Sequence, residues 1–485
     1  MGKQLSTGVG YKPAYSDSKA HDAVPILNLP VEVLNEIFEL GPRETLRNIN
    51  DSSTTNRPAS VPSHVAVTHV CRIWREVVTH NPFLWTRITV DFSRSTSLAK
   101  LYLERSRNAE LDIRVLIRYE AHAESFATML LADIKRCRGL NMSFPSYPAA
   151  FTALHILQQL RAPVLRACKV LVEADTIQYE DEDDTVTAPT SLFVGGAPML
   201  SSLRLDGISA LGCRFHLNTV THLELKVDSF SRQLTFEEAS SILLEASPIL
   251  SHLTLDGYVF NHLLGIKTHP LELPVLTSLD LRLSFAHDGP RRHDALSQDY
   301  ILFVWRFLRV PSLERLSLFN LSEVQFYDTI VAVGKQRDSG QTGVTHLSLD
   351  AIGIRGTLNA ADLTFFCPNV VDLKIRGPLV QPLLSIFSDG TRADGDVSSS
   401  TDSTIFLPFL QSLSVSTSND KLLRAAILTR KALGAPIPIL RLVGRNTWSE
   451  HTIQWFRARV DFPPTSDLRF DPRLSVFGGT GYSSG

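Results

Sequence analysis

The sequence predicts an α/β chain. A short helical module comes first, followed by an irregular solenoid of strand–helix units whose strands form a parallel sheet. Three observations predict this. Residues 26–85 carry two apolar stripes at helical spacing on either side of a polar gap. From about residue 111 the chain keeps returning to the phrase P-x-L-x-x-L-x-L. Several of the segments between these phrases are helical by composition.

The first module reads ILNLPVEVLNEIFELGP, then a polar gap, then VAVTHVCRIWREVVTHNPFLW. Pro30 suits the first turn of a helix, where an N–H has no intrahelical partner anyway. Val31, Leu34, Ile37 and Phe38 are expected to make one apolar stripe. Val67, Val70, Cys71, Trp74, Val77 and Val78 are expected to make a second, in one helix that stops at Asn81-Pro82. An apolar surface on so small a hairpin needs a partner to cover it.

These residues carry a resemblance to the F-box: LP-x-E-x-L-x-x-I-F, then V-C-x-x-W, then N-P-x-L-W, in that order. The chain departs from the usual pattern at 41–64, a Ser-, Thr-, Asn- and Pro-rich stretch expected to be a loop. Inserts of this kind occur in F-box proteins of basidiomycete fungi, which the chain resembles. The resemblance implies a helical hairpin that docks on a Skp-type adaptor and, through it, on the cullin scaffold of an SCF-type ubiquitin ligase. It assigns adaptor contact to Leu29, Pro30, Leu34, Ile37, Val70, Cys71 and Trp74.

The array follows. Clear copies of its phrase are APMLSSLRLDG (197–207), SPILSHLTLDG (247–257), LPVLTSLDLRL (273–283), VPSLERLSLFN (310–320) and LPFLQSLSVST (407–417). The first core residue of each L-x-L is expected at Leu111, Leu140, Cys168, Leu203, Leu223, Leu253, Leu279, Leu316, Leu347, Leu373, Leu413 and Leu440, at intervals of 20 to 40 residues. L-x-L alternation points both leucines to one side of a strand. No single strand can bury that side, whereas stacked strands make a continuous core. Segments 236–247, 300–310 and 321–336 are expected as covering helices, and the prolines as the points where helices give way to strands. The rhythm resembles degenerate leucine-rich repeats. The consensus asparagine is missing from most beats, Asn320 being an approximate exception.

The expected organisation is a leader at 1–24, the F-box-like domain at 25–90, the repeat array at 91–460 and a tail at 461–485. Residues 86–110 would form the junction, with a helix at 97–106. An acidic run at 179–185 and a polar stretch at 389–404 read as loops.

Composition narrows the function. The chain has 485 residues, of which 44% are hydrophobic and 20% charged, as in a soluble globular protein. A net charge of −2 gives no bulk electrostatic reason to bind nucleic acid or an anionic membrane. Five cysteines without a CxxC pair argue against a disulfide framework or zinc ribbon. They favour a reducing compartment, cytoplasmic and/or nuclear. No apolar run is long enough to span a membrane. Met1–Ser6 fits the short N-myristoylation pattern, but no cysteine lies nearby for a second acyl chain. P-loop, HExxH and G-x-S-x-G motifs are absent, so no catalytic residue, cofactor or metal is expected.

The positions between the paired leucines should face away from the core. Ser202, Thr254 and Asp372 are such positions, and so are the candidate client contacts Arg204, Asp206, His222, Glu224, Lys226, His252, Asp256, Asp280, Arg282, Arg315, Phe319, His346, Asp350, Lys374 and Arg376. His222, His252 and His346 share one position of their repeats, but His346 lies too many repeats away to complete a metal site. The mixed charges suit a protein or peptide surface. The function expected is a non-catalytic substrate receptor of an SCF-type ligase. The alternative is a repeat-based interaction scaffold that works without a ligase.

Overall fold

The computed structural model describes residues 29–45, 63–92, 96–173, 190–207, 213–214, 216–227, 233–261, 270–283, 294–338, 343–353, 363, 367–389, 405–443 and 448–462. The expected leader, the acidic run and nearly all of the polar stretch at 389–404 and of the tail lie outside these residues. They divide into two units, with the division along the chain falling between Leu84 and Trp85.

The first unit holds three helices, α1 (Val31–Thr45), α2 (Ser63–Val67) and α3 (Arg72–His80). Helix α1 starts on Pro30, whose carbonyl accepts the Leu34 N–H at 3.1 Å. It runs past Gly41 and Pro42 to Thr45, so the expected loop begins later than residue 41. Arg43 and Glu44 are good helix formers. The rest of that loop, 46–62, lies outside the described residues. The second block is two helices, not one. Residues 68–70 turn, and Cys71 sits in extended backbone as the N-cap of α3, its Sγ accepting the Trp74 N–H at 3.4 Å. An N-cap residue cannot also continue a helical stripe, which is why the single-helix reading fails.

The second unit is built on thirteen strands, all parallel and in chain order across one sheet. They are β1 (Arg87–Asp91), β2 (Leu111–Leu116), β3 (Cys137–Phe144), β4 (Ala167–Val172), β5 (Ser202–Asp206), β6 (His222–Val227) and β7 (His252–Gly257). The series continues with β8 (Ser278–Arg282), β9 (Arg315–Phe319), β10 (His346–Asp350), β11 (Asp372–Arg376), β12 (Ser412–Val415) and β13 (Ile439–Leu442). The connections carry α4 (Ser97–Arg105), α5 (Ala123–Leu130), α6 (Tyr147–Leu157), α7 (Phe236–Ala246), α8 (Asp294–Phe307), α9 (Glu323–Asp338), α10 (Val380–Asp389) and α11 (Asp420–Ala432). Helix α12 (Glu450–Arg457) follows the last strand. Residues 86–110, expected as a junction with a helix at 97–106, hold that helix as α4 and also supply β1, which was not expected.

The leucines stack in register. Leu203, Leu223, Leu253, Leu279, Leu316, Leu347, Leu373, Leu413 and Leu440 are successive partners from β5 to β13. All are buried. On the N-terminal side the expected register slips by two residues. Leu140 pairs with Ile113, and Ile113 with Ile88, so the ladder's second-strand member is Ile113 and not Leu111. Leu111 is also buried, because a two-residue slip keeps the same face.

In four of the phrases, at Pro198, Pro274, Pro311 and Pro408, the proline has a more specific role than ending a helix. It occupies the second position of a β-turn that sets the following leucine into the core. Leu200, Leu276, Leu313 and Leu410 donate to the carbonyls of Ala197, Leu273, Val310 and Leu407 at 3.0, 3.3, 3.2 and 3.2 Å. Beyond the turn, one carbonyl accepts two successive amides of the next coil. The Thr221 carbonyl takes both Ser251 and His252 at 3.0 Å, and the Ser251 carbonyl takes Thr277 and Ser278 at 3.0 Å. Ser251 and Thr277 add their hydroxyls to the same carbonyls at 3.1 and 3.2 Å.

Gly257 closes β7 at φ +82°, and a Cβ there would lie 2.0 Å from the Val227 carbonyl oxygen of the neighbouring strand. The obstacle is backbone and cannot rotate away. Gly257→Ala should therefore destabilise the array by about 2 kcal/mol or more, read as a lower melting temperature. An unchanged melting temperature would contradict this register.

Candidate functional site

The helical unit is held by a small polar lock and an aromatic contact. Asn81, buried at the end of α3, donates its amide to Asn35 Oδ1 at 3.0 Å and Glu39 Oε1 at 3.1 Å on α1. Its own Oδ1 accepts the Phe83 N–H at 3.0 Å. The sequence marks Asn81-Pro82 only as a helix stop, whereas the side chain also fixes α1 against α3. Phe38 meets Trp74 edge-to-face at 5.1 Å. Arg75 Nε donates to the Thr68 carbonyl at 2.8 Å and closes the turn between α2 and α3.

The apolar residues of α1 split between two faces. Leu34, 1% exposed, and Phe38 point inward. Val33, Ile37 and Leu40 fall at i, i+4 and i+7, hence on one side of the helix. They are exposed, Ile37 by 41% and Leu40 by 60%. The single stripe expected through Val31, Leu34, Ile37 and Phe38 is thus an inner pair plus outer residues. Of the expected adaptor contacts, Pro30, Ile37 and Val70 are exposed, and Leu29, Cys71 and Trp74 are half-buried. Leu34 serves the interior instead. Val33, Leu40, Ile73 and Phe83, which the motif comparison did not single out, are also exposed. A second apolar stripe at i, i+4, i+7 was the signal that could have found Val33 and Leu40.

On the sheet, the candidate client residues occupy three rows. The first runs Ser202, His222, His252, Ser278, Arg315, His346 and Asp372. The second holds Arg204, Glu224, Thr254, Asp280 and Lys374, and the third Asp206, Lys226, Asp256, Arg282, Phe319, Asp350 and Arg376. Ion pairs join the rows. Arg204 reaches Glu224 at 2.8 Å and Asp206 at 3.3 Å, Lys226 reaches Asp206 at 3.3 Å, and Arg282 reaches Asp280 at 3.1 Å. Arg376 lies 3.7 Å from Asp350, whose carboxyl is pushed up by burial against the pull of Arg376 and Lys374. Asp206 and Asp256 are buried, so they anchor neighbours and offer little surface themselves.

His222 and His252 stack at 4.1 Å and 11°. Each Nδ1 lies 2.8 Å from the hydroxyl of the preceding residue, Thr221 or Ser251. The same hydroxyls also lie 3.1 Å from carbonyls of the preceding coil, Ser201 and Thr221. Burial, with the His222 imidazole adding to it, pushes the His252 imidazole down. Parallel rings direct their nitrogen lone pairs side by side instead of toward one ion. His346 is three strands away. No group of three or more potential metal ligands occurs among the described residues.

With this geometry in view, a family model described as F-box-like matches residues 26–91. No curated protein matches the chain. The match covers the helical unit and extends into β1. No helix among the described residues is long and apolar enough to cross a membrane.

Burial lowers the imidazole of His64, on α2, to about 4. The unfolded chain then binds the extra proton first, so the contribution of His64 to stability is intact above its ordinary value of 6.5. It is lost progressively as the pH falls from there toward about 4. The loss should reach up to about 3 kcal/mol. Trp74 fluorescence should report acid unfolding of the helical unit over this range, and His64→Gln should flatten the dependence. The same acid transition in the variant would rule out His64 as its source.

Proposed function

We propose that the chain is the non-catalytic substrate-recognition subunit of an SCF-type cullin–RING ubiquitin ligase. The observation that carries this is the exposed apolar surface of the F-box-like segment. Pro30 just before α1, Val33, Ile37 and Leu40 on it, and Val70, Ile73 and Phe83 beyond it leave apolar side chains in contact with water. A Skp-type adaptor would cover them, at about 1.5–3 kcal/mol for each large side chain fully buried. Leu29, Cys71 and Trp74 would line the edge of that contact, and Leu34 would support it from within. Through the adaptor the chain would join the cullin scaffold.

The array, read as degenerate leucine-rich repeats, would hold a client protein on the polar face of its sheet. His222, His252, Arg315 and His346, with Arg204, Glu224, Lys226, Asp280, Arg282, Phe319, Lys374 and Arg376, supply mixed donors and acceptors there. The work is done by proximity. Holding the client beside the charged ubiquitin carrier raises the effective concentration of its lysines, so the receptor needs no chemistry of its own. A chain acting in this way would reside in the cytoplasm or nucleus.

Co-expression with a Skp-type adaptor followed by size-exclusion chromatography tests the reading. The full chain should elute as a stoichiometric complex. Ile37→Asp with Leu40→Asp should weaken the complex by about 100-fold while leaving thermal stability nearly unchanged, since both side chains are already exposed. If the wild-type chain elutes alone and folded, the array is a scaffold that works without the ligase.

A further inference from the structure

We propose that the polar face of the sheet contains a binding subsite for an anionic group of a client, a phosphoryl group or a carboxylate, centred on Lys169 and flanked by Arg114 and Arg204. This deepens the client-holding role proposed above and rests on it.

Arg114 on β2 pairs with Asn141 on β3, Asn141 with Lys169 on β4, and Lys169 with Arg204 on β5. The four residues therefore form one row on the non-core face. Adjacent strands lie about 4.8 Å apart, so Lys169 and Arg204 can reach a single phosphoryl group, and the long Arg114 side chain can approach it from two strands away. The row holds three cations and one amide before it reaches its first carboxylate, Glu224 on β6.

The cations differ in how far they are neutralised. Arg204 spends its two terminal nitrogens on Glu224 and Asp206. Its Nε is buried and has no acceptor among the described residues. Lys169 is half-buried and makes no hydrogen bond or ion pair among the described residues. Burial lowers its ammonium to about 8. Arg204 pushes in the same direction, Asp206 and Glu224 oppose it, and Arg114 adds to the lowering. Asp206 and Glu224 offset the burial of this ammonium only in part, and a bound anion would supply the direct contact it lacks. The neighbouring arginines suit an oxygen-rich anion, because guanidinium groups present several donors in a plane. A cationic or apolar ligand would find no complement here.

The test uses the full-length chain and inorganic phosphate as the probe. Lysines are acetylated with acetic anhydride near neutral pH, and the rate at Lys169 is read by peptide mass spectrometry. Phosphate is compared with acetate and with chloride at equal ionic strength. A bound anion favours the protonated amine, and a one-unit rise in its pKa cuts the reactive neutral fraction near pH 7 about tenfold. Phosphate should therefore slow Lys169 by about three- to tenfold. It should leave the exposed Lys100 and Lys421 unaffected. Arg114→Gln should weaken the protection. Equal protection by acetate would identify a carboxylate as sufficient, whereas stronger protection by phosphate would favour a phosphoryl group. If Lys169 reacts at one rate in phosphate, acetate and chloride, the subsite does not exist. Adaptor co-elution of the same preparation reports separately on the helical unit, so the two readings fail independently.

Discussion

A strand of five residues with two inward leucines is stable only beside another strand in the same register. That constraint governs the whole array. Each of Leu253, Leu279 and Leu316 is buried because its neighbours on both sides place a leucine at the same level. Complete burial of a leucine contributes about 1.5–3 kcal/mol, but only when the stack is present. The backbone is bound by the same condition. A carbonyl such as that of Thr221 is satisfied by two amides and a hydroxyl of the next coil, not by its own. Stability is then a sum over neighbouring coils, and the polar face is left free of packing demands.

That freedom explains why the polar face can carry so varied a set of side chains. Its charges cancel in patches, as at Arg204, Glu224, Asp206 and Lys226, and remain unbalanced in others, as at Lys169. The helical unit shows the opposite economy. Its interior holds Leu34, Phe38, Val77 and Val78, whereas Ile37, Leu40 and Val70 keep 41%, 60% and 60% of their surface in water. Exposed apolar side chains gathered in this way are most simply explained by a partner that buries them.

Much of the array was legible because L-x-L has the period of a strand and many copies follow a proline. Helix α7 was legible for a related reason. Thr235 and Glu238 form a capping box ahead of an amphipathic run. Strand β1 escaped because RITVD carries no leucine pair and its proline, Pro82, reads as the stop of the preceding helix. Helix α6 escaped because Ala149, Ala150, Ala153, Leu154 and Leu157 are all buried, and the rest of the helix gives too little polar contrast to show a face. In the helical unit, apolar spacing alone could not separate Leu34 from Ile37, since both fit a helical stripe and only packing decides which turns inward. The break at Cys71 was hidden for a similar reason, because a cysteine cap looks apolar in sequence. The three-row alternation on the sheet was legible, but the burial of Asp206 and Asp256 depends on which cations stand beside them.

The central claim is that the chain has one face for a ligase adaptor and another for a client. Hydrogen–deuterium exchange of the full chain, with and without a Skp-type adaptor, addresses it most directly. The account predicts slowed exchange within residues 29–45 and 63–84 and no change in the strands β5 to β11. Unchanged exchange in the helices, or protection that appears on those strands instead, would contradict it.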